Sequence, residues 1–200
     1  MAAPLTDAQL NEARDRIRQV AERHIVVNGP EGVSLRAIAA DLGWTAASLY
    51  RYYASKAELI DAVRTAAYRR FSDQIEAAYA SSADLWQRSR AIGDAYVAFA
   101  MAEPAAYQLV FAYTQDEAEK SADLRREETR SKLTMTTYVG EMVDAGLLEG
   151  DPQLIAHAYW ASLHGLIVLR MAGKLDRSPP FDDLRHAMVR MITRGARPRD

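Results

Sequence analysis

The stretch ASLYRYYASK, from Ala47 to Lys56, combines three tyrosines with an arginine and a lysine in ten residues. A buried core accepts tyrosine rings but must also find partners for their hydroxyl groups. A surface that meets phosphates uses hydroxyl, guanidinium and ammonium groups together as hydrogen-bond donors. The stretch therefore predicts a phosphate-facing surface, if the neighbouring elements expose it.

Two short predicted helices surround this stretch. Ser34 is a candidate cap for a helix over Leu35–Leu42, Gly43 supplies the left-handed residue that ends it, and Thr45 caps a second helix through Tyr52. Two helices joined by a tight glycine turn match the spacing of a helix–turn–helix, whose second helix enters the DNA major groove.

The predicted second helix has an exposed and a buried side. Leu49 and Tyr53 are expected to pack inward against the preceding helices. The exposed positions are Thr45, Ala46, Ala47, Ser48, Arg51 and Tyr52.

The rest of the chain reads as helical, because apolar residues recur at threes and fours and no long stretch alternates apolar with polar residues. Ser55 and Glu58 have the spacing of a capping box, which predicts a long connector helix to about Tyr79. A polar stretch, Thr114–Arg130, is expected to separate two helices. The other predicted helices are Leu10–Val27, Asp84–Ala102, one starting at Glu103-Pro104, one ending near Ala145-Gly146, Asp151–Ala172 and Phe181–Ile192.

Composition narrows the class of protein. The chain has 26% charged and 49% hydrophobic residues and no cysteine, which excludes disulfides, thiolate metal sites and thiol nucleophiles. The first 70 residues carry ten basic and eight acidic residues, a mild bias that permits DNA binding without requiring it. Met1–Leu10 shows no export signal, and His164 and Arg170 interrupt the most apolar late segment. We expect a cytoplasmic protein without a membrane span.

The segment GVSLRAIAADLGWTAASLYRYYASKAELIDAV, Gly32–Val63, resembles the DNA-binding domain of the TetR family of transcriptional regulators. The matching residues are Leu49, Tyr50, Tyr53, Ser55, Lys56, Glu58 and Leu59. The resemblance implies that Thr45, Tyr52 and Lys56 contact DNA phosphates. It places Arg36, Ala46, Ala47, Ser48, Tyr50 and Arg51 against bases or the adjoining backbone.

The C-terminal part resembles the Trp-His-Gly subgroup of that family, with Trp160, His164 and Gly165 as the matching residues. This implies a core that binds a small-molecule effector. The candidate lining residues are Tyr96, Phe99, Tyr107, Phe111, Tyr138, Met142, Trp160 and His164. Ordinary core packing is the alternative for these side chains.

The resemblance also implies a homodimer formed by the last two helices. Gly165, expected in the middle of a helix, would permit close approach of a partner helix. The apolar faces expected to exceed what one chain can bury comprise Ile155, Tyr159, Leu163, Leu166, Val168, Leu169, Leu184, Met188, Met191 and Ile192. Two recognition helices one or more DNA turns apart would then read a pseudo-palindromic operator.

The resulting prediction is an all-α protein of about nine helices: a helix–turn–helix domain at residues 1–54, an effector-binding and dimerisation domain at 55–195, and a tail at 196–200. The expected function is a homodimeric repressor released from its operator by an effector, with no cofactor or metal. An enzyme using His157 or His164 finds little support, since no catalytic motif accompanies the four scattered histidines. A helical scaffold or ligand-binding module without DNA activity is the third alternative.

Overall fold

The computed structural model describes residues 6–175 and 179–198, and over these residues the chain forms nine α-helices, one 3₁₀ turn and no strand. This confirms the predicted all-helical class. The predicted tail at 196–200 and the predicted absence of an export signal in Met1–Leu10 fall partly outside the described residues. The helices are α1 (Asp7–Asn28), α2 (Leu35–Asp41), α3 (Ala46–Leu49), α4 (Lys56–Ala80), α5 (Leu85–Ala102), α6 (Pro104–Phe111), α7 (Ala122–Asp144), α8 (Pro152–Met171) and α9 (Phe181–Gly195).

Side-chain caps set the starts of the two helices that frame the helix–turn–helix. Thr6 accepts a hydrogen bond from the backbone N–H of Gln9, and the Gln9 side chain accepts one from the backbone of Thr6, so α1 begins three residues earlier than predicted. At α4, Ser55 accepts from the backbone N–H of Glu58 at 3.1 Å, as predicted. Ser34 stands before α2 without a side-chain capping bond, so its predicted capping role is wrong.

The second predicted helix of the helix–turn–helix is shorter than expected. Regular α-helix covers only Ala46–Leu49, and the chain continues to Tyr52 in turns, with the N–H of Tyr52 bonded to the Leu49 carbonyl at 2.9 Å. Thr45 does cap it, since its side chain accepts from the N–H of Ser48 at 3.3 Å. Four residues provide few internal hydrogen bonds, so packing must hold the segment in place.

The polar stretch Thr114–Arg130 was predicted to be a connection, and this is wrong for its second half. After a 3₁₀ turn at Glu117–Glu119, α7 begins at Ala122, with Ser121 accepting from the backbone N–H of Leu124. The first turns of α7 are polar because they contact charged residues of α4. Glu127 pairs with Arg69 at 3.0 Å and Glu128 with Arg64 at 3.2 Å.

The chain divides into two compact units. The first unit runs to Arg70 and resumes over Glu103–Glu128, and the second comprises Phe71–Ala102 and the described residues from Thr129 onward. The helix–turn–helix thus folds together with α6 and the start of α7. These units are defined by how compactly the chain packs, whereas the predicted boundary at residue 54 marks the end of the recognition segment. That boundary stays a prediction.

The core of the first unit is built under the helix–turn–helix. Its buried side chains come from α1 to α4 and include Leu109 of α6, which has no exposed surface. Arg70 also ties these elements together, through Glu22 of α1 at 2.6 Å and Glu103 at 2.8 Å. The members of the buried cluster are Ile17, Val20, Ala21, Ile25, Val33, Ile38, Ala39, Leu49, Tyr53, Leu59, Val63 and Leu109.

The second unit has an aromatic core and a packed pair of C-terminal helices. Phe71 contacts both Tyr96 and Phe99 edge-on, with ring centroids 5.7 and 5.2 Å apart. Helices α8 and α9 pack together, and the Tyr159 hydroxyl lies 2.7 Å from that of Thr193. The N–H of Glu149 also donates to the carbonyl of Ala196 at 2.7 Å.

The apolar face of α8 is covered more fully than predicted, whereas none of the described residues of α9 is buried: Leu184, Met188 and Ile192 are half-buried and Met191 is exposed. Ile155, Tyr159, Leu163 and Leu166 are buried within the chain itself, which corrects the expectation that they need a partner. The side chains that do remain exposed on these helices include Leu154, Val168, Leu169 and Met191.

Candidate nucleic-acid interface

The turn between α2 and α3 depends on one glycine. Gly43 has φ of +70°, a left-handed conformation that glycine adopts without a side-chain clash. The next residue, Trp44, is fixed by its N–H, which donates to the Ala39 carbonyl at 2.8 Å. The predicted glycine turn is confirmed, and it brings α3 back across α2.

Two residues anchor the segment that follows the turn. Leu49 is fully buried and Tyr53 is 4% exposed, as predicted for the inward side. The Tyr53 hydroxyl donates to the carbonyl of Arg14 on α1 at 3.4 Å, and burial raises the pKa of this phenol. These anchors compensate for the shortness of α3 and fix which of its side chains point outward.

The predicted DNA-contacting residues are exposed or partly exposed, in contrast to these anchors. Tyr50 is 56% exposed, in contrast to its near neighbour Tyr53. Arg36, Thr45, Ala47, Tyr50 and Arg51 are exposed, and Ala46, Ser48, Tyr52 and Lys56 are partly exposed.

A groove of about 320 Å³ opens on this surface. Its lining residues are Gly43, Trp44, Thr45, Ser48, Arg51 and Tyr52. Four of them are predicted DNA contacts, so the structure brings hydroxyl groups and a guanidinium together at one place. The Thr45 and Ser48 hydroxyls are 2.9 Å apart and hydrogen-bonded to each other, which orients both.

Trp44, which lines this groove, was not among the predicted site residues. Its indole stacks on the Tyr52 ring, with centroids 5.6 Å apart and planes at 29°. The guanidinium carbon of Arg16, on α1, lies 5.6 Å from the centroid of the Trp44 ring. The position of a large aromatic residue directly after the turn glycine could have indicated that Trp44 belongs to this surface.

Lys56, predicted as a phosphate contact, also forms a hydrogen bond within the protein. Its ammonium group donates to the Glu31 carbonyl at 2.6 Å, which connects the start of α4 to the loop before α2. An ammonium group has three donors, so this bond leaves capacity for a phosphate. Arg23, Arg36 and Arg51 are exposed and Lys56 is partly exposed, so each of these four cations is accessible to solvent.

The predicted effector-lining residues are divided between the two units. Tyr107 and Phe111 belong to the first unit, where their ring centroids are 4.8 Å apart. The second unit holds Tyr96, Phe99, Tyr138, Met142, Trp160 and His164. Tyr96, Phe99, Tyr138 and Met142 are buried, so they help to form the core of that unit.

Three polar side chains meet within the second unit. The Trp160 indole N–H donates to the Tyr96 hydroxyl at 3.0 Å, and this hydroxyl lies 3.5 Å from Nδ1 of His164. Burial lowers the pKa of His164, because a low-dielectric environment disfavours its charged form. Burial likewise raises the pKa of Tyr138. The arrangement favours a neutral, hydrogen-bonded histidine.

Neither a membrane helix nor a metal cluster appears in the described parts of the chain. No helix within residues 6–175 and 179–198 combines the length and apolar character needed to cross a membrane. The same residues contain no group of three histidine or acidic side chains arranged to hold a metal ion.

The fold and this surface define a helix–turn–helix regulatory protein. Residues 17–63 match the family model described as bacterial regulatory proteins of the tetR family, and residues 89–192 match the Tetracyclin repressor-like C-terminal domain. The chain belongs to the TetR family. The match to its N-terminal model covers the helix–turn–helix described above, which is the DNA-binding domain of these regulators. The family consists of transcription regulators rather than enzymes.

Relatives and solved structures agree with this assignment. An HTH-type transcriptional regulator of Mycobacterium tuberculosis is 30% identical over 152 residues, covering 72% of this chain and 62% of the relative. The chain thus spans less than two thirds of that relative's length. A Rhodococcus sp. RHA1 protein of unknown function superposes with a TM-score of 0.82 at 25% identity, covering 98% of this chain and all of the other. A TetR family transcription regulator from Marinobacter aquaeolei VT8 shares the fold, with a TM-score of 0.75 at 17% identity over 97% of this chain and 100% of the other.

Proposed function

We propose that the protein is a homodimeric, cytoplasmic repressor that binds a pseudo-palindromic DNA operator and leaves it when a small-molecule effector binds. The observation that carries the proposal is the polar surface around α3, backed by the buried anchors Leu49 and Tyr53. A surface with hydroxyl and guanidinium groups on a rigid support is suited to a phosphate backbone.

Affinity and sequence specificity arise from different residues of this surface. Thr45, Tyr52 and Lys56 are assigned to phosphates, which hold the domain in register but carry little sequence information. Arg36 and Ser48 are placed to read base edges in the major groove, and Ala46 and Ala47 offer only methyl contacts, for example to thymine. The direct readout by α3 is therefore sparse.

Homodimerisation is supported by an exposed stripe on α8. Leu154, Ala158, Ala161, Gly165 and Val168 recur at intervals of three and four residues, which places them on one side of the helix. Leu154 is 71% exposed, and a Cβ added at Gly165 would meet nothing within 4 Å. Small residues allow a second helix to approach closely, and Met191 of α9 extends the exposed apolar surface. A second copy of the chain fits this stripe.

Effector release is supported by the three hydrogen-bonding side chains that meet in the second unit. Tyr96, Trp160 and His164 place hydroxyl, indole and imidazole groups among apolar residues, a combination used by small-molecule sites. Helix α4 supplies residues to both units, which makes it the candidate element for transmitting effector binding to the DNA-binding surface.

The experiment that tests the proposal is selection of bound fragments from a genomic library by the full-length protein at two salt concentrations. We expect recovery of a short pseudo-palindrome, with half-sites spaced by one or more DNA turns and an affinity that falls steeply with salt. Unselective binding, or no binding at either concentration, would contradict the proposed function.

Effector release is tested separately with the recovered operator and a panel of small molecules. Because coupling between two binding sites is reciprocal, an effector that weakens operator binding by some factor must bind the operator complex more weakly by the same factor. Compounds that bind the protein while operator affinity stays constant would contradict release but leave DNA binding intact.

A further inference from the structure

The contact between α1 and the α2–α3 turn has no role in the function proposed above. Arg16 is exposed and lies over the Trp44 ring, with its guanidinium carbon 5.6 Å from the ring centroid. Among the residues that the structure describes, no carboxylate forms an ion pair with Arg16. By contrast Arg18, two residues along the same helix, is paired with Asp15.

Trp44 contacts two side chains that could bind DNA, those of Tyr52 and Arg16. Its backbone is fixed by the hydrogen bond to Ala39, and its side chain packs against the buried cluster of the first unit. The indole contacts both the Tyr52 ring and the Arg16 guanidinium, each centred 5.6 Å from the Trp44 ring centroid. Arg16, Trp44 and Tyr52 therefore form a connected row, which we call the aromatic row.

The aromatic row borders the groove of the recognition surface. Trp44 and Tyr52 line the groove together with the Thr45 and Ser48 hydroxyls and the Arg51 guanidinium. A phosphate that reaches this groove would meet donors from α3 and the turn after it. The cation of Arg16, held over the Trp44 ring, adds positive charge beside this groove.

We propose that Arg16 is a further phosphate-binding residue of the operator complex and that Trp44 is the positioning residue that holds both Arg16 and Tyr52 for contact with the DNA backbone. This inference rests on the proposed function, because it assigns a role within the operator complex. An aromatic face restricts a guanidinium held over it without occupying the N–H donors, which lie in the plane of the guanidinium and stay available for a phosphate.

The test measures operator affinity against salt concentration for the full-length protein and its variants. Each lost phosphate contact lowers the slope of log affinity against log salt by about 0.9. Arg16→Gln is expected to lower it by about 1.8 per dimer, so that raising salt fourfold costs the variant roughly 12-fold less affinity than it costs wild type. Arg18→Gln, which removes the same formal charge from a residue already paired with Asp15, is the matched control and should keep the wild-type slope.

Variants at Trp44 test the positioning role. Trp44→Phe keeps an aromatic face and should keep most of the wild-type slope. Trp44→Leu should lower the slope at least as much as Arg16→Gln, and adding Arg16→Gln to it should then change little, since the two residues act together. Thermal unfolding identifies any Trp44 variant that fails to fold, and Arg16→Gln alone still decides the phosphate contact because Arg16 is exposed.

The outcomes separate this inference from the proposed function. Wild-type binding to a selected operator, with equal slopes for Arg16→Gln and Arg18→Gln, overturns the phosphate contact and leaves the proposed function standing. A reduced slope for Arg16→Gln with an unchanged slope for Trp44→Leu overturns the positioning role. Absence of specific binding by wild-type protein overturns the proposed function and this inference with it.

Discussion

Arg64 of α4 donates from Nη2 to the Glu128 carboxylate of α7 at 3.2 Å, and its side chain is only 3% exposed. The same guanidinium donates to the Leu109 carbonyl at 3.1 Å and to the Gln115 side chain at 2.8 Å. One buried cation thereby connects α4, α6, the segment after α6 and α7 within the first unit. Helix α4 also packs against the helix–turn–helix, through Leu59 and Val63 of the buried cluster.

Replacing Arg64 should destabilise the protein strongly. Arg64→Met removes three hydrogen bonds, including the one from the buried guanidinium to the Glu128 carboxylate. This should lower the free energy of unfolding by about 3–5 kcal/mol. Urea denaturation followed by circular dichroism measures this. Arg126→Met is the control, because Arg126 and its partner Asp123 are both exposed to solvent, so the loss of their ion pair should have much the smaller effect. Equal losses for the two variants would contradict the role given to Arg64.

Two neighbouring tyrosines should separate stability from DNA binding. Tyr53→Ala removes a buried ring and should cost about 3–5 kcal/mol of unfolding free energy. Tyr50→Ala removes an exposed ring and should change stability by less than about 0.5 kcal/mol while weakening operator binding. Urea unfolding and fluorescence anisotropy with labelled operator measure the two effects. An unchanged operator affinity for Tyr50→Ala would remove Tyr50 from the contact surface.

Base-reading and phosphate-binding residues should differ in how their loss depends on sequence. Ser48→Ala should weaken the selected operator by about 1–3 kcal/mol and reduce discrimination at one base pair of each half-site. Lys56→Gln should weaken all sequences about equally and lower the salt slope by about 0.9 per contact. Binding to operators with single base changes at two salt concentrations distinguishes these patterns. Sequence-dependent losses for Lys56→Gln would mean that its role is assigned wrongly.

A charge within the exposed stripe of α8 should prevent dimerisation. Ala161→Arg places a guanidinium between Ala158 and Gly165, where a partner helix would have to bury it without a counter-charge. We expect a monomer in sedimentation equilibrium and at least a hundredfold weaker operator binding, since two half-sites would no longer be bound together. Ala98→Arg, at an exposed alanine of α5, is the matched control and should stay dimeric. A dimeric Ala161→Arg variant would place the interface elsewhere.

The lowered pKa of His164 predicts a stability that falls in weak acid. Burial favours the neutral ring in the folded state, so the unfolded chain binds the proton more readily and acid favours unfolding. The contribution is full above the ordinary histidine value of 6.5 and declines as the pH falls below it toward the lowered value. His164→Gln should therefore lose less unfolding free energy than wild type between pH 7.5 and 5.5. Urea unfolding at the two pH values checks this, and parallel losses would refute it.

The fold was largely predictable because its signals are local. Helix periodicity, the Ser55–Glu58 cap and the glycine at position 43 each depend on residues close in sequence, and each is confirmed. The polar start of α7 was mispredicted because its helix depends on distant partners, above all Arg64 and Arg69. Long-range charge pairing leaves no periodic trace in the sequence.

The recognition surface was predictable in part for the same reason. Periodicity separated Leu49 and Tyr53 from the exposed positions, and the structure agrees. Trp44 was not predicted because its contact with Arg16, which is 28 positions earlier in the chain, exists only in the folded state. Burial of Ile155 and Leu163 was also misjudged, since the sequence does not show how α8 packs against α5 and α9.

The presence of Leu109 in the core beneath the helix–turn–helix limits where the chain can be truncated or joined to another regulator. A fragment ending at Val63 would lack Leu109, and the apolar side chains packed against it would be exposed to water. Chimaeric regulators joined within α4 would inherit the same defect unless they also carry α6 from this chain. The DNA-reading module is therefore discontinuous in sequence, and its transferable form comprises the N-terminal helices together with the segment from Glu103 to Glu128.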